Sequence, residues 1–127
     1  MSDAEAVFRE FISAFNELAL KRFRACLASD VSLFAPSSSS HVLIEGAEAV
    51  EAHFAHVFSV ERPAGPNIRP TNVHARQLGE QAALITFEFP REGGSIGRRT
   101  LVLHLEAGQW KVGHLHASNT TPHNAAA

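Results

Sequence analysis

The sequence predicts an α+β fold from three observations. The first half of the chain carries three stretches of helical periodicity, and the second half carries four of strand periodicity. The last two strands join at a Gly-containing hairpin, followed by Gln109-Trp-Lys-Val-Gly-His-Leu-His-Ala-Ser118. Helices followed by a long antiparallel meander place the helices on one side of a curved sheet.

Each element has its own signal. Ser2 or Asp3 can cap a first helix whose Val7, Phe8, Phe11, Ile12, Phe15 and Leu18 recur at three- and four-residue intervals. A shorter helix is expected over 22–27. Residues 30–34 alternate as a strand until Pro36 and the serine run 37–40, which reads as a loop. Residues 42–44 resume an extended segment, and Gly46 opens a third helix with Ala47, Val50, Phe54, Val57 and Phe58 on one face. Pro63, Gly65 and Pro66 end it. Strands are expected over 69–78, 82–89, 97–106 and 109–118, separated by Gly79-Glu80 and by the turn at 91–95. The tail from about 120 has nothing to bury and is expected to be flexible.

A chain of 127 residues, 45% hydrophobic with nine Phe, is expected to form one domain over 1–127 with its own core. The formal charge of -2, with Lys and Arg scattered, gives no basic stripe, so nucleic acid is not an expected partner. Cys26 stands alone, which excludes an internal disulfide and a cysteine metal cluster and fits a reducing compartment. The first residues are acidic with no apolar core region, and no apolar run approaches the roughly 18 residues of a membrane span. A cytoplasmic protein without membrane contact is expected.

The final hairpin decides which side chains share a face. A two-residue Ala107-Gly108 loop would set Leu105 opposite Trp110. A three-residue Glu106-Ala-Gly108 loop with Gly108 at a left-handed bulge position would set His104 there instead. The second is expected, because the two-residue loop needs positive φ at Ala107, which alanine resists. Trp110, Val112, His114, His116 and Ser118 then share one face with Val102 and His104, while Leu101, Leu103, Leu105, Leu115 and Ala117 share the other. Leucines on one side and Trp, Val and His on the other predict that the second face needs a partner, and a homodimer through Val102, His104, Trp110, Val112, His114 and His116 is expected.

Phe34-Ala-Pro36, Ile44-Glu-Gly46, Asn72-Val-His74, Leu78-Gly-Glu80, Thr100 and the stretch from Trp110 to Ser118 have a family likeness in their order and gaps. In these the chain resembles SnoaL-like domains of the nuclear transport factor 2-like superfamily, most closely the association (hub) domain of calcium/calmodulin-dependent kinases. The resemblance implies a cone-shaped, curved antiparallel or mixed sheet wrapped around a long N-terminal helix, with two further short helices and a cavity between. It also implies dimers, or higher rings built from dimers. The hub arginines that receive small carboxylates fall on Phe89, Leu101 and Ala117, all apolar here. The cavity, lined by Phe15, Phe54, Phe87, Phe89, Leu101, Leu103, Leu115 and Ala117, is therefore expected to take a small apolar ligand or to be filled by side chains. Small carboxylates are not expected to bind.

Catalytic sets known on this fold are not matched. Ketosteroid isomerases use a Tyr with a protonated carboxylic acid, and this chain has no Tyr. Limonene-epoxide hydrolase-like members use an Asp-Arg-Asp set, and the only aspartates are Asp3 and Asp30. No catalytic residue is assigned; Asp30 and His74 are the weak candidates for a proton carrier. His114-x-His116 with His104 lacks the rest of a coordination shell, so neither metal nor cofactor is expected. His53 and His56, three apart on the third helix, read as surface residues. Two classes of function follow: a non-catalytic oligomeric domain that binds an apolar molecule or serves assembly, and alternatively an isomerase, cyclase or hydrolase acting on a polyketide- or steroid-like substrate.

Overall fold

Rings at positions 8, 11 and 15 recur at helical spacing, and the computed structural model of the chain, which describes residues 2–36, 42–61 and 68–121, sets them along one helix. That helix, α1 (Ser2–Asn16), already includes Ser2 and Asp3, so neither is the cap the sequence suggested. Helix α2 (Leu20–Ala25) is only six residues long and could not persist alone. Phe23 holds it: fully buried, its ring lies 4.6 Å from Phe11 and 4.5 Å from Phe54 between ring centroids. Burying one such ring contributes roughly 2–3 kcal/mol. Helix α3 (Ala47–His56) closes the aromatic cluster with Phe54 and runs into a π-helical turn, Val57–Glu61, that adds Phe58.

Six strands form one mixed sheet: β1 (Leu27–Phe34), β2 (Ile44–Glu45), β3 (Thr71–Gln77), β4 (Ala82–Pro90), β5 (Ile96–Glu106) and β6 (Gln109–Asn119). The spatial order is β2-β1-β6-β5-β4-β3, with β1 parallel to β6 and every other pairing antiparallel. This is the expected α+β fold, with β1 starting three residues earlier than its alternation indicated. The cone that the resemblance implied does not close into a barrel: the sheet is open, ending at the two-residue β2 on one edge and at β3 on the other.

Strict alternation makes one face of β4 the core wall, with Ala83, Ile85, Phe87 and Phe89 buried and their neighbours half-exposed. Leu101 and Leu103 extend that wall on β5, and Leu115 and Ala117 on β6. Helices α1 to α3 cover it, Phe8 meeting Phe87 at 5.2 Å between ring centroids. No described helix is long and apolar enough to cross a membrane. The serine run, His41, the breakers at 63, 65 and 66, His123 and the tail from 122 lie outside the described residues.

Candidate functional site

Two features of the β5–β6 hairpin overturn the expected faces. The turn is the two-residue one, Ala107 at φ 51° and Gly108 at φ 79°, with Leu105 opposite Trp110 and Glu106 opposite Gln109. Left-handed backbone costs alanine roughly 1–2 kcal/mol, but a turn with both central residues there matches the strand twist. Glu106 also fixes the register, accepting hydrogen bonds from the Ser29 amide at 3.0 Å and hydroxyl at 2.9 Å. These bonds hold the Glu106 carboxyl below its usual range.

A bulge at Gly113 then splits the expected face. Leu103 pairs with Val112 and Val102 with His114, leaving Gly113 as the extra residue. Val112 is consequently fully buried in the core and Trp110 packs against it, while His114, His116 and Ser118 point outward with Thr100 and Val102. Trp110 and Val112 therefore leave the expected interface, and Val102, His104, His114 and His116 remain on the outer face. Glycine is needed at this bulge because a Cβ at 113 would fall on the His104 ring.

The residues expected to line a cavity lie together on the helix-facing side. Phe54, Phe87, Phe89, Leu101, Leu103, Leu115 and Ala117 are buried, and Phe15 packs against them. They touch one another and the rings of α1 and α2, Phe15 lying 6.2 Å from Phe54 and Phe87 6.3 Å from Phe89 between centroids. Among the described residues Ser95 is the one buried polar residue, and it is satisfied: its hydroxyl donates to the Thr120 carbonyl and accepts from Arg91.

Arg99 is the inward residue that sequence reasoning missed. Its partners across the sheet, Phe87 and Ala117, are core residues, and its guanidinium lies 4.8 Å from the centre of the Phe89 ring. Nη1 donates to the Ser118 carbonyl at 2.9 Å and to Asn119 Oδ1 at 3.1 Å. Burial, with a smaller contribution from Arg91, pushes its pKa down to about 10. Parity with Leu101 was the available signal. The three hub positions are apolar as read, but an inward cation two residues from Leu101 removes the ground for expecting carboxylates to be refused.

Neither weak proton-carrier candidate faces the interior. The Asp30 side chain is 77% exposed and lies 3.4 Å from His104 Nε2 on the outer face. His74 is exposed on β3 and bonds Asn72 Oδ1 at 2.9 Å. The two are not brought together. Asp3 lies in the first turn of α1, and His53 and His56 lie on α3, His56 exposed and His53 beside the Phe54 ring. A shallow, polar concavity of about 300 Å³ lies on the outer face between Thr86, Glu88, Arg98, Thr100, His116 and Ser118. Cys26 is buried, which raises its thiol pKa to about 11 and leaves it a poor nucleophile. No group of three or more metal-ligating side chains occurs among the described residues.

On the outer face, rows of side chains cross the strands in register. His74, Thr86, Thr100, His116 and Phe34 form one row, and Arg76, Leu84, Val102, His114 and Ser32 the next. Ser32 Oγ lies 2.8 Å from His114 Nδ1, and the exposed Phe34 ring lies 5.2 Å from His116 and 5.8 Å from His114 between centroids.

An open mixed sheet with three helices on one side and its C-terminal strand beside its first defines the nuclear transport factor 2-like architecture. Residues 4–122 match the SnoaL-like domain family, and the chain belongs to it. A nuclear transport factor 2-like protein of unknown function from Pseudomonas putida KT2440 superposes with a TM-score of 0.80 at 20% identity, covering 92% of this chain and 84% of its own. A candidate ketosteroid isomerase from Shewanella frigidimarina NCIMB 400 gives 0.75 at 23% identity, covering 92% and 95%. A candidate calcium/calmodulin-dependent protein kinase II association domain from Xanthomonas campestris gives 0.70 at 18%, covering 91% and 84%. At these identities the likeness is one of fold. No curated protein matches the chain.

Proposed function

We propose that this SnoaL-like domain is a non-catalytic assembly module that pairs with a second copy of itself through the outer face of its sheet. One observation carries the non-catalytic half: among the described residues no carboxylate or imidazole is buried, and Asp30 and His74 both face away from the apolar interior. An isomerase or cyclase of this fold needs its proton carrier beside the substrate, in a setting that tunes its pKa. The reading of an enzyme acting on a polyketide- or steroid-like substrate is therefore set aside.

The assembly half rests on the makeup of the outer face. Leu84 and Val102 are half-buried at its centre, and Phe34 stands exposed, at 41%. Around them the charges are mixed: Asp30 and Glu45 lie on the β1–β2 side, Lys111 on β6, and Arg76 and Arg98 on the β3–β5 side with Glu88 and Glu106. A two-fold axis through the face sets Asp30 and Glu45 of one copy toward Arg76 and Arg98 of the other, which makes a second copy the matching occupant. The Xanthomonas campestris neighbour is itself described as an association domain. The interior, lined by rings and leucines, suits an apolar guest if it takes one, and the single, buried Cys26 suits the reducing cytoplasm. Light scattering at micromolar concentration and pH 8 is expected to give a dimer, and Val102→Glu a monomer with unchanged circular dichroism. A wild-type monomer under those conditions refutes the assembly reading. Turnover of a lactone, epoxide or enone that Asp30→Asn or His74→Ala abolishes would refute the non-catalytic one.

A further inference from the structure

The four histidines of the sheet, His74, His104, His114 and His116, all project from its outer face, and none projects toward the helices. The ionisable groups that face them come from every strand. Asp30 of β1 lies against His104, and Glu45 of β2 pairs across from Ser32, the partner of His114. Glu88 of β4 stands opposite Arg98 of β5, and Glu106 of β5 is engaged by Ser29. Arg76 of β3 lies in the His114 row, and Lys111 of β6 donates to the Ala25 carbonyl. With neutral imidazoles, three cations face four carboxylates and the surface is close to balance. Protonation of the four imidazoles makes it strongly cationic, and two copies of such a face repel one another.

We propose that pairing through this face is gated by pH, the two copies joining while the imidazoles are neutral and separating as they take up protons. The proposal rests on the assembly reading and adds its regulation. Its core is His114 and His116, whose rings lie 6.4 Å apart between centroids, with Phe34 against both. No carboxylate among the described residues bonds either ring.

The sign follows from burial. Desolvation already holds the His114 imidazolium below its ordinary range; the nearby His116 adds to this, and the hydrogen bond with Ser32 opposes it. A second copy removes more water from the ring, so the paired state binds fewer protons than the separated one. Pairing is fully present above the His114 value of the separated copy, itself already below the free imidazole range, and is lost as pH falls through it.

Sedimentation velocity at micromolar protein between pH 8 and pH 5, with circular dichroism at each step, tests this. The expected result is a dimer at pH 8 whose dissociation constant rises at least about tenfold by pH 5.5, one pKa unit of difference at a single imidazole being about tenfold. The secondary structure stays intact. His114→Gln/His116→Gln, neutral at every pH, is expected to hold the dimer at pH 5.5, whereas His56→Gln on α3 shifts nothing. If the double variant folds poorly, His116→Gln at its exposed position is expected to move the midpoint toward acid by itself. A dimer of constant affinity across the range overturns the gate and leaves the assembly reading standing. A transition in the glutamine variants that coincides with the wild type overturns it too, as does loss of circular dichroism together with the dimer. A monomer at pH 8 removes the assembly reading, and the gate with it.

Discussion

The two faces of this sheet are made by neighbouring residues of the same strands, yet they obey different rules. On the helix side Ala83, Ile85, Phe87, Leu101, Leu103 and Val112 are almost wholly shielded from water. On the other side Leu84, Thr86, Thr100, Val102 and the imidazoles are half-exposed or exposed. The inner face is specified by volume, since every ring there touches others and little polar chemistry intrudes. The outer face is specified by charge and hydrogen bonding, and so it can respond to pH and to a partner while the inner one cannot.

Adjacent residues on β5 offer the sharpest contrast. Leu101→Ala is expected to cost about 2–5 kcal/mol of unfolding free energy, because it leaves a void among packed rings. Val102→Ala is expected to cost under about 1 kcal/mol in the monomer, since its side chain is only half-buried. Chemical denaturation of both variants checks this, and equal losses would erase the distinction between the faces. Trp110→Ala comes next. With Trp110 packed on the inner side it should lose about 2 kcal/mol of stability and leave the dimer constant unchanged. Weakened association at unchanged stability would return Trp110 to the interface. At the bulge, Gly113→Ala should cost about 1–2 kcal/mol by crowding the His104 ring. That cost should largely disappear in a His104→Ala background; a cost that survives there points to backbone strain instead.

The sequence made the inner face easy to read and the outer face hard. Ala83, Ile85, Phe87 and Phe89 alternate without interruption, and α1 repeats its phenylalanines at helical spacing, so burial follows from period alone. The last strand defeated the same reasoning because Gly113 resets its parity. A lone glycine within a strand is a recognised sign of a bulge, and taking it so would have separated Trp110 and Val112 from the face of His114, His116 and Ser118. The hairpin misled for another reason: the resistance of Ala107 to positive φ was real, but the Glu106–Ser29 hydrogen bonds that outweigh it join residues 77 apart in sequence. Asp30 was legible as the one aspartate beyond the first turn of α1, and its solvent side follows from its alternation with the buried Val31 and Leu33. Arg99 could have been found, since it keeps the parity of Leu101 and Leu103.

The parallel pairing of β1 with β6 also bears on the order in which the protein is made. On one side of β6 lies the β3–β4–β5 meander and on the other the β1–β2 pair, so the strand that joins the two blocks is the last of the fold to leave the ribosome. Until about residue 119 has emerged, β1 lacks its parallel neighbour and the helices have no complete wall to rest on. The nascent chain must therefore keep its phenylalanines from other encounters until β6 has emerged, and a break in translation a few codons before Trp110 would leave two half-sheets with nothing to join them.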